Sequence, residues 1–338
     1  MAEPNTKGVS AAAEPNTHGV SAAAKPNAEG GTERAVIAAF VGNFAIGLTK
    51  LFAAIVTGSG SMLAETAHSF ADATNQILLF VGIRRSAGRP TEKHPLGYGK
   101  ERYFWALVVA LFLFFGGGVF ALYEAYSRFT DPHELGDVTI AFVVLGLSMV
   151  FEAFSISVAI KEVRHAAHEA GLPVRQFLRE LRDPALRTVL YEDSAAMLGL
   201  VIAAIGLFLT VQTHDHRFDA GGSAAIGLLL IGVAYQLARD ARALIIGEAA
   251  PEGTRNAIRA TLTEHADVEE VLELLAIRVG AKQLLVLARL SARDDLTGAD
   301  VERLLVTLRG RIRERHPEVL ESFLEVNPGA AAVRTPSV

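Results

Sequence analysis

Apolar residues in this chain gather into runs of about twenty, and charged residues collect between the runs, which is the layout a hydrocarbon layer imposes. Six runs predict membrane-spanning helices near Glu33–Thr57, Ser61–Ile83, Tyr103–Tyr126, Val138–Ile160, Leu186–Thr210 and Asp219–Ala238. At ~1.5 Å of rise per residue, each is long enough to cross a core of about 30 Å. After Glu248 the texture changes to that of a soluble domain. Glu252–His265 reads as a helix, and Val301, Leu304, Leu305, Leu308 and Ile312 give Thr297–His316 a helical period. Val271–Val279, Gln283–Leu290 and Ser322–Val326 read as strands. The fold class expected is a polytopic α-helical membrane protein with six transmembrane helices. Its small C-terminal domain is α+β and ferredoxin-like, in the order α-β-β-α-β.

The ends and loops complete the domain plan. Ala2-Glu3-Pro4-Asn5-Thr6 recurs as Ala13-Glu14-Pro15-Asn16-Thr17, and a degenerate copy begins at Lys25-Pro26-Asn27. Such a tract lacks the apolar surface that offsets chain entropy, so residues 1–32 are expected to be a disordered, low-complexity tail. The transmembrane domain is placed at 33–246, the cytoplasmic α+β domain at 247–328 and a second disordered tail at 329–338. Arg84, Arg85, Arg89, Lys93, Lys100 and Arg102 lie between spans two and three. Lys161, Arg164, Arg175, Arg179, Arg182 and Arg187 lie between spans four and five, whereas Gly58-Ser59-Gly60 carries no basic residue. By the positive-inside rule both termini are cytoplasmic. No cleavable signal peptide is visible, and the expected location is a bacterial inner membrane.

Composition narrows the chemistry. A hydrophobic content of 51% is close to that of soluble domains, so the distribution carries the argument, not the total. The formal net charge of −5 argues against a general nucleic-acid binder. There is no cysteine, which excludes disulfides, thiolate metal sites and thiol catalysis. Any metal site must use His, Asp, Glu, Asn or backbone oxygen.

Ionisable groups inside spans are the informative positions, because each costs on the order of 2.5–3.5 kcal/mol at a helix centre unless compensated. Glu65, His68, Asp72 and Asn75 fall within about 80° of one another on the second span, with Ser69 and Gln76 beside them. Such a stripe faces a cavity or a partner helix. His68 and Asp72 are one turn apart, so an imidazole and a carboxylate can reach the same ion. The fifth span carries Tyr191-Glu192-Asp193-Ser194. Adjacent carboxylates point about 100° apart, so one binds metal while the other bonds to a neighbour or takes a proton. With the span starting around Leu186, the pair lies only about 9–10 Å deep. Asn43 is placed to lend an oxygen, and Lys50 to be a counter-charge to Glu65 or to Glu152 of the fourth span. His94, His165, His168, His214 and His216 lie in loops, where histidines are usually just solvated.

Gly58-Ser59-Gly60-Ser61-Met62, Ala64-Glu65-Thr66-Ala67-His68-Ser69-Phe70-Ala71-Asp72 and the segment His94 to Arg102 resemble the cation diffusion facilitator family, in the branch that includes zinc transporter 9. The likeness runs from about residue 33 to 327. It implies a homodimeric antiporter that exchanges cytoplasmic Zn²⁺, or a similar ion, for protons, with ligands split between the second and fifth spans. Carried over by position, His68 and Asp72 match the second-span pair. The fifth span departs from the pattern. Most of the family place a His and an Asp one turn apart there, and alignment on Gly199 and Gly206 puts Leu190 and Ser194 at those positions. Glu192 and Asp193 are the nearby replacements, with Asp193 preferred because it lies next to the family's aspartate position and deeper in the span.

The functional expectation is a proton-coupled efflux carrier for a divalent transition metal, Zn²⁺ first, with metal ligands His68, Asp72, Asp193, Glu192 and Asn43. The metal is transported substrate, and no cofactor is expected. The bilayer, protons and a second copy of the chain are the expected partners, the C-terminal domain holding the dimer. Nitrogen and oxygen donors without sulfur also suit Mn²⁺, Fe²⁺ or Co²⁺. A non-transporting metal-sensing scaffold is the rival from another class. A membrane metalloenzyme lacks its HExxH-type signature here.

Overall fold

The computed structural model describes residues 29–132, 135–169, 171, 173–175, 184–280 and 283–327. Most of the N-terminal repeat tail, the tail at 329–338, and Arg179 and Arg182 of the basic loop lie outside the described residues. Among those described, six long helices carry the apolar runs: α1 (Glu29–Thr57), α2 (Gly60–Ser86), α3 (Glu101–Thr130), α4 (Val138–Glu169), α5 (Pro184–Thr213) and α6 (Arg217–Ile246). Each outruns its expected span. An apolar run measures the thickness of hydrocarbon, and the helical hydrogen-bond ladder has no reason to stop where that run ends.

Five of these helices, α1, α3, α4, α5 and α6, are long and apolar enough to cross a membrane. Large apolar side chains cover their outside, Phe52, Ile55, Phe115, Phe154, Phe208 and Leu228 among them. So much exposed apolar surface is foreign to a water-soluble monomer, and the chain is an integral membrane protein. α2 has the length but not the apolar composition. It packs against α1, α3, α5 and α6, and its polar stripe is turned into the bundle, where Glu65, His68, Ser69 and Asn75 are buried.

Two local devices hold α2 and α3 in place. Asp219 of α6, itself 3% exposed, accepts hydrogen bonds from Ser59 Oγ at 2.7 Å, from the Gly60 and Ser61 N–H groups at 2.6 and 3.3 Å, and from Ser61 Oγ. One carboxylate thus satisfies donors at the start of α2 that no intrahelical carbonyl can reach. In α3 a π-helical stretch covers Leu113–Val119. There α3 and α6 approach closely: a Cβ on Gly118 would fall 2.6 Å from the Ile231 side chain and 3.2 Å from the backbone Gly227 O and Ile231 N. Tyr103, in the first turn of α3, is fully buried among its neighbours.

The C-terminal part consists of α7 (Glu252–Thr263), β1 (Val268–Gly280), β2 (Gln283–Ala292), α8 (Gly298–Arg315) and β3 (Val319–Asn327). The sheet runs β1-β2-β3, with β1 and β2 antiparallel and β3 parallel to β2 through the α8 crossover. Ile258, Leu262, Val286, Leu290, Leu308 and Ile312 fill its core. Thr297 and Asp300 form a capping box on α8, and the Thr297 hydrogen bonds hold the Asp300 carboxyl below its ordinary range. His316 is spent on structure, with Nε2 2.9 Å from Thr261 Oγ1.

This part is tied to the bundle at two points. Gly247 ends α6 at φ 116°, and the chain then runs beside β1, with Ala250 N–H donating to Ala276 O at 2.8 Å. The turn before α3 meets the tip of the β1–β2 hairpin, where a Cβ on Gly99 would stand 2.5 Å from Val279 O. Only glycine allows that approach.

Candidate metal site

Helical spacing brings His68 and Asp72 together on the buried face of α2, with His68 Nδ1 3.5 Å from Asp72 Oδ1. That separation is long for a hydrogen bond. Both ring nitrogens of His68 and the Oδ1 of Asp72 are buried without a hydrogen-bond partner among the described residues. Leaving a buried polar atom unmatched costs on the order of 1–3 kcal/mol, so three such atoms at one place are costly unless a ligand takes them up.

The adjacent carboxylates of α5 diverge. Glu192, 6% exposed, faces α2 and accepts a hydrogen bond from Asn75 Nδ2 at 2.7 Å. Asp193 is half-buried, faces α4, and accepts from Ser155 Oγ at 2.8 Å. Ser194, at one of the two positions where the family's ligand pair is expected, points outward and is exposed. Asp72 lies within electrostatic reach of Glu192, Glu152 and Asp193. Asn43 is half-buried on α1 and joins none of the described hydrogen bonds. Beside the cluster, Lys50 Nζ pairs with Glu65 Oε2 at 2.9 Å, both side chains at 0% exposure.

Of the expected ligands, the structure sets His68 and Asp72 side by side, turns Glu192 toward their helix and turns Asp193 away from it. Among the described residues, no three His, Asp or Glu side chains stand close enough together to hold an ion as they are. The pattern of apolar runs did not reveal Ser155 as the partner of Asp193, nor Asp219 as the cap of α2. Ser155 is one of three serines in span four, with Ser148 and Ser157, so nothing singled it out; an aspartate opening span six directly opposite the Gly-Ser-Gly-Ser turn was the available signal for the cap. Of the histidines expected in loops, His165 and His168 fall within α4, His94 packs against Tyr98 with ring centres 4.7 Å apart, and His216 lies beside Asp219 at the opposite end of α6 from the C-terminal domain.

Comparison with known proteins agrees with this layout. The cation efflux transmembrane domain family matches residues 36–246. The Xenopus laevis protein named proton-coupled zinc antiporter SLC30A9, mitochondrial, is 31% identical over 300 residues, covering 87% of this chain and 53% of the frog protein. Metal tolerance protein C4 of Arabidopsis thaliana is 30% identical over 280 residues, 83% of this chain and 60% of the plant protein. Manganese efflux system protein MneP of Bacillus subtilis is 22% identical over 306 residues, 88% of this chain and 96% of the bacterial protein. The chain thus spans about half the length of the frog relative. The names are those of transporters, not enzymes. Because the family match takes in all six helices of the bundle, the chain belongs to the cation efflux family, the cation diffusion facilitators.

Proposed function

We propose that this protein is a proton-coupled antiporter that moves a divalent transition metal, Zn²⁺ first, out of the cytoplasm. The observation that carries the reading is the trio of unpartnered, buried donor atoms on His68 and Asp72 in the middle of the bundle. In this reading α2 is the sixth span, its polar stripe being the lining of the ion's path. Glu192 supplies the carboxylate from α5, and Asp193, beside it on α5 but engaged with Ser155 of α4, supports the site from that side. Closing the site takes a shift of Glu192 away from Asn75 toward Asp72. The ligands bind metal when deprotonated, so protons arriving from the far side compete with the ion and drive its release. His68 suits that exchange, since an imidazole nitrogen holds either a proton or the ion, never both.

One nitrogen among several oxygens also suits Mn²⁺, and one relative is named as a manganese efflux protein. That is the second reading of the ion. The exposed Arg84, Arg85, Arg89 and Lys93 after α2 support an orientation with both termini in the cytoplasm. A homodimer held by the C-terminal domain completes the proposal. The test is a flux screen in sealed proteoliposomes over Zn²⁺, Mn²⁺, Fe²⁺ and Co²⁺, with a pH-sensitive dye inside. Metal entry accompanied by opposite proton movement is expected. Absence of flux for every ion, with metal binding intact, would instead make the protein a sensor.

A further inference from the structure

We propose that Lys50 is the resident cation of the metal site, a fixed counter-charge that balances the carboxylates when the ion is absent and opposes the ion when it is present. The proposal rests on the carrier reading above. Lys50 and Glu65 form a pair from α1 and α2, 2.9 Å apart and entirely buried. As structural glue the pair is poor. Desolvating two charges costs more than their attraction returns unless every remaining lone pair is satisfied, and Glu65 Oε1 has no hydrogen-bond partner. The same oxygen lies against Gly199 of α5, where there is no room for a Cβ. Three helices therefore converge on one ion pair, and its anion stands a single turn before His68.

The Lys50 ammonium is held 2.9 Å from Glu65, one turn before His68 on the buried face of α2, and its charge acts on His68, Asp72 and Glu152. The cation thus stands within electrostatic reach of Asp72 and Glu152, two of the four carboxylates gathered there. Without metal, such a concentration of carboxylates in a low-dielectric interior repels itself, and an ammonium nearby relieves the repulsion. With a dication bound, the same ammonium weakens its hold, which a carrier requires because its substrate must leave.

The experiment compares two variants with the full-length parent. In Lys50→Met/Glu65→Met both buried charges are replaced by apolar chains of similar length, a change that is neutral or stabilising for a purely structural pair. Zn²⁺ affinity is measured by titration calorimetry in detergent, and turnover by flux in proteoliposomes. The expected result is Zn²⁺ binding about tenfold tighter together with turnover slower by about the same factor. Parent-like affinity and turnover would overturn the proposal. Lys50→Glu/Glu65→Lys keeps the pair and reverses its poles, so it decides the matter even where the double-Met variant fails to fold. Tighter Zn²⁺ binding than the parent is expected from it, and unchanged affinity overturns the proposal. Asp72→Asn is run alongside. If it loses Zn²⁺ while both Lys50 variants match the parent, only the Lys50 proposal falls. If it binds Zn²⁺ like the parent, the carrier reading falls first.

Discussion

Asn75 Nδ2 donates to Glu192 Oε1 at 2.7 Å, and this bond selects which of two neighbouring carboxylates turns toward the second helix. Asn75 stands one turn beyond Asp72 on the same buried face of α2, so Glu192 arrives within a turn of the His68–Asp72 pair. Asp193, about 100° further round α5, is committed to Ser155 on α4. The preference for Asp193 drawn from its family position and depth does not take account of either partner, because both partners belong to other helices.

This arrangement makes the two carboxylates separable by experiment. Glu192→Gln keeps an oxygen for Asn75 but removes the charge that offsets the ion's desolvation. Its Zn²⁺ affinity should fall by more than the roughly 10–100-fold that loss of a supporting group costs. Asp193→Asn keeps an acceptor for Ser155, and its affinity should stay within about tenfold of the parent, with coupling to protons altered instead. Calorimetric titration of each purified variant checks this. The reverse ranking would give the ligand role to Asp193, and parent-like behaviour of both would remove α5 from the site.

The pair on α2 carries a second prediction. His68→Ala and Asp72→Ala should each abolish flux while leaving a folded protein, since neither side chain holds another residue in place by a hydrogen bond of its own. His68→Asp replaces the only nitrogen donor with oxygen and should move preference from Zn²⁺ toward Mn²⁺ without abolishing flux. Competition between the two ions in proteoliposomes measures it. Near-normal Zn²⁺ flux in purified Asp72→Ala would sink the assignment.

A third prediction is structural. Asp219 accepts hydrogen bonds from Ser59, Gly60 and Ser61 while nearly fully buried. Asp219→Ala strips the start of α2 of its acceptor and should cost about 2–4 kcal/mol. The variant should melt at lower temperature in detergent, and the fraction still folded should keep its Zn²⁺ affinity because the cap lies remote from His68. Unchanged melting would mean that water replaces the carboxylate there.

The bundle was legible because a bilayer writes helix length directly into apolar run length, and the stripe on α2 because 3.6-residue periodicity gathers Glu65, His68, Asp72 and Asn75 on one face. The same stripe costs α2 the apolar composition that marks the other five helices, so composition alone passes over the helix that carries the candidate site. The Lys50–Glu65 pair was legible as a counter-charge, but most other contacts between elements were not. Nothing local in the sequence says that Gly199 is small because Glu65 lies against it, that Gly99 meets the β1–β2 hairpin, or that Ser155 receives Asp193. In the C-terminal domain the strands run beyond their expected ends, since charged Glu269 and Glu270 sit on an open sheet face and read as turn residues.

Orientation in the membrane yields the last prediction. The α2–α3 turn carries Arg84, Arg85, Arg89 and Lys93 on an exposed surface, while the opposite ends of α1 and α2 meet at Gly58-Ser59-Gly60 without a basic residue. The positive-inside rule then puts the α2–α3 turn, both termini and the C-terminal domain in the cytoplasm, and the α5–α6 turn outside. The chain has no native cysteine, so single cysteines can be labelled without background. Lys93→Cys and Thr213→Cys replace exposed residues at opposite ends of the bundle and should leave the fold intact. In intact cells an impermeant maleimide should label the cysteine at 213 and leave the one at 93 unmodified until the membrane is opened. Labelling of position 93 from outside, with 213 protected, would invert the carrier and turn the proposed efflux into uptake. Labelling of both positions from outside would mean that α3–α5 do not form an odd number of crossings, against the expected order of spans.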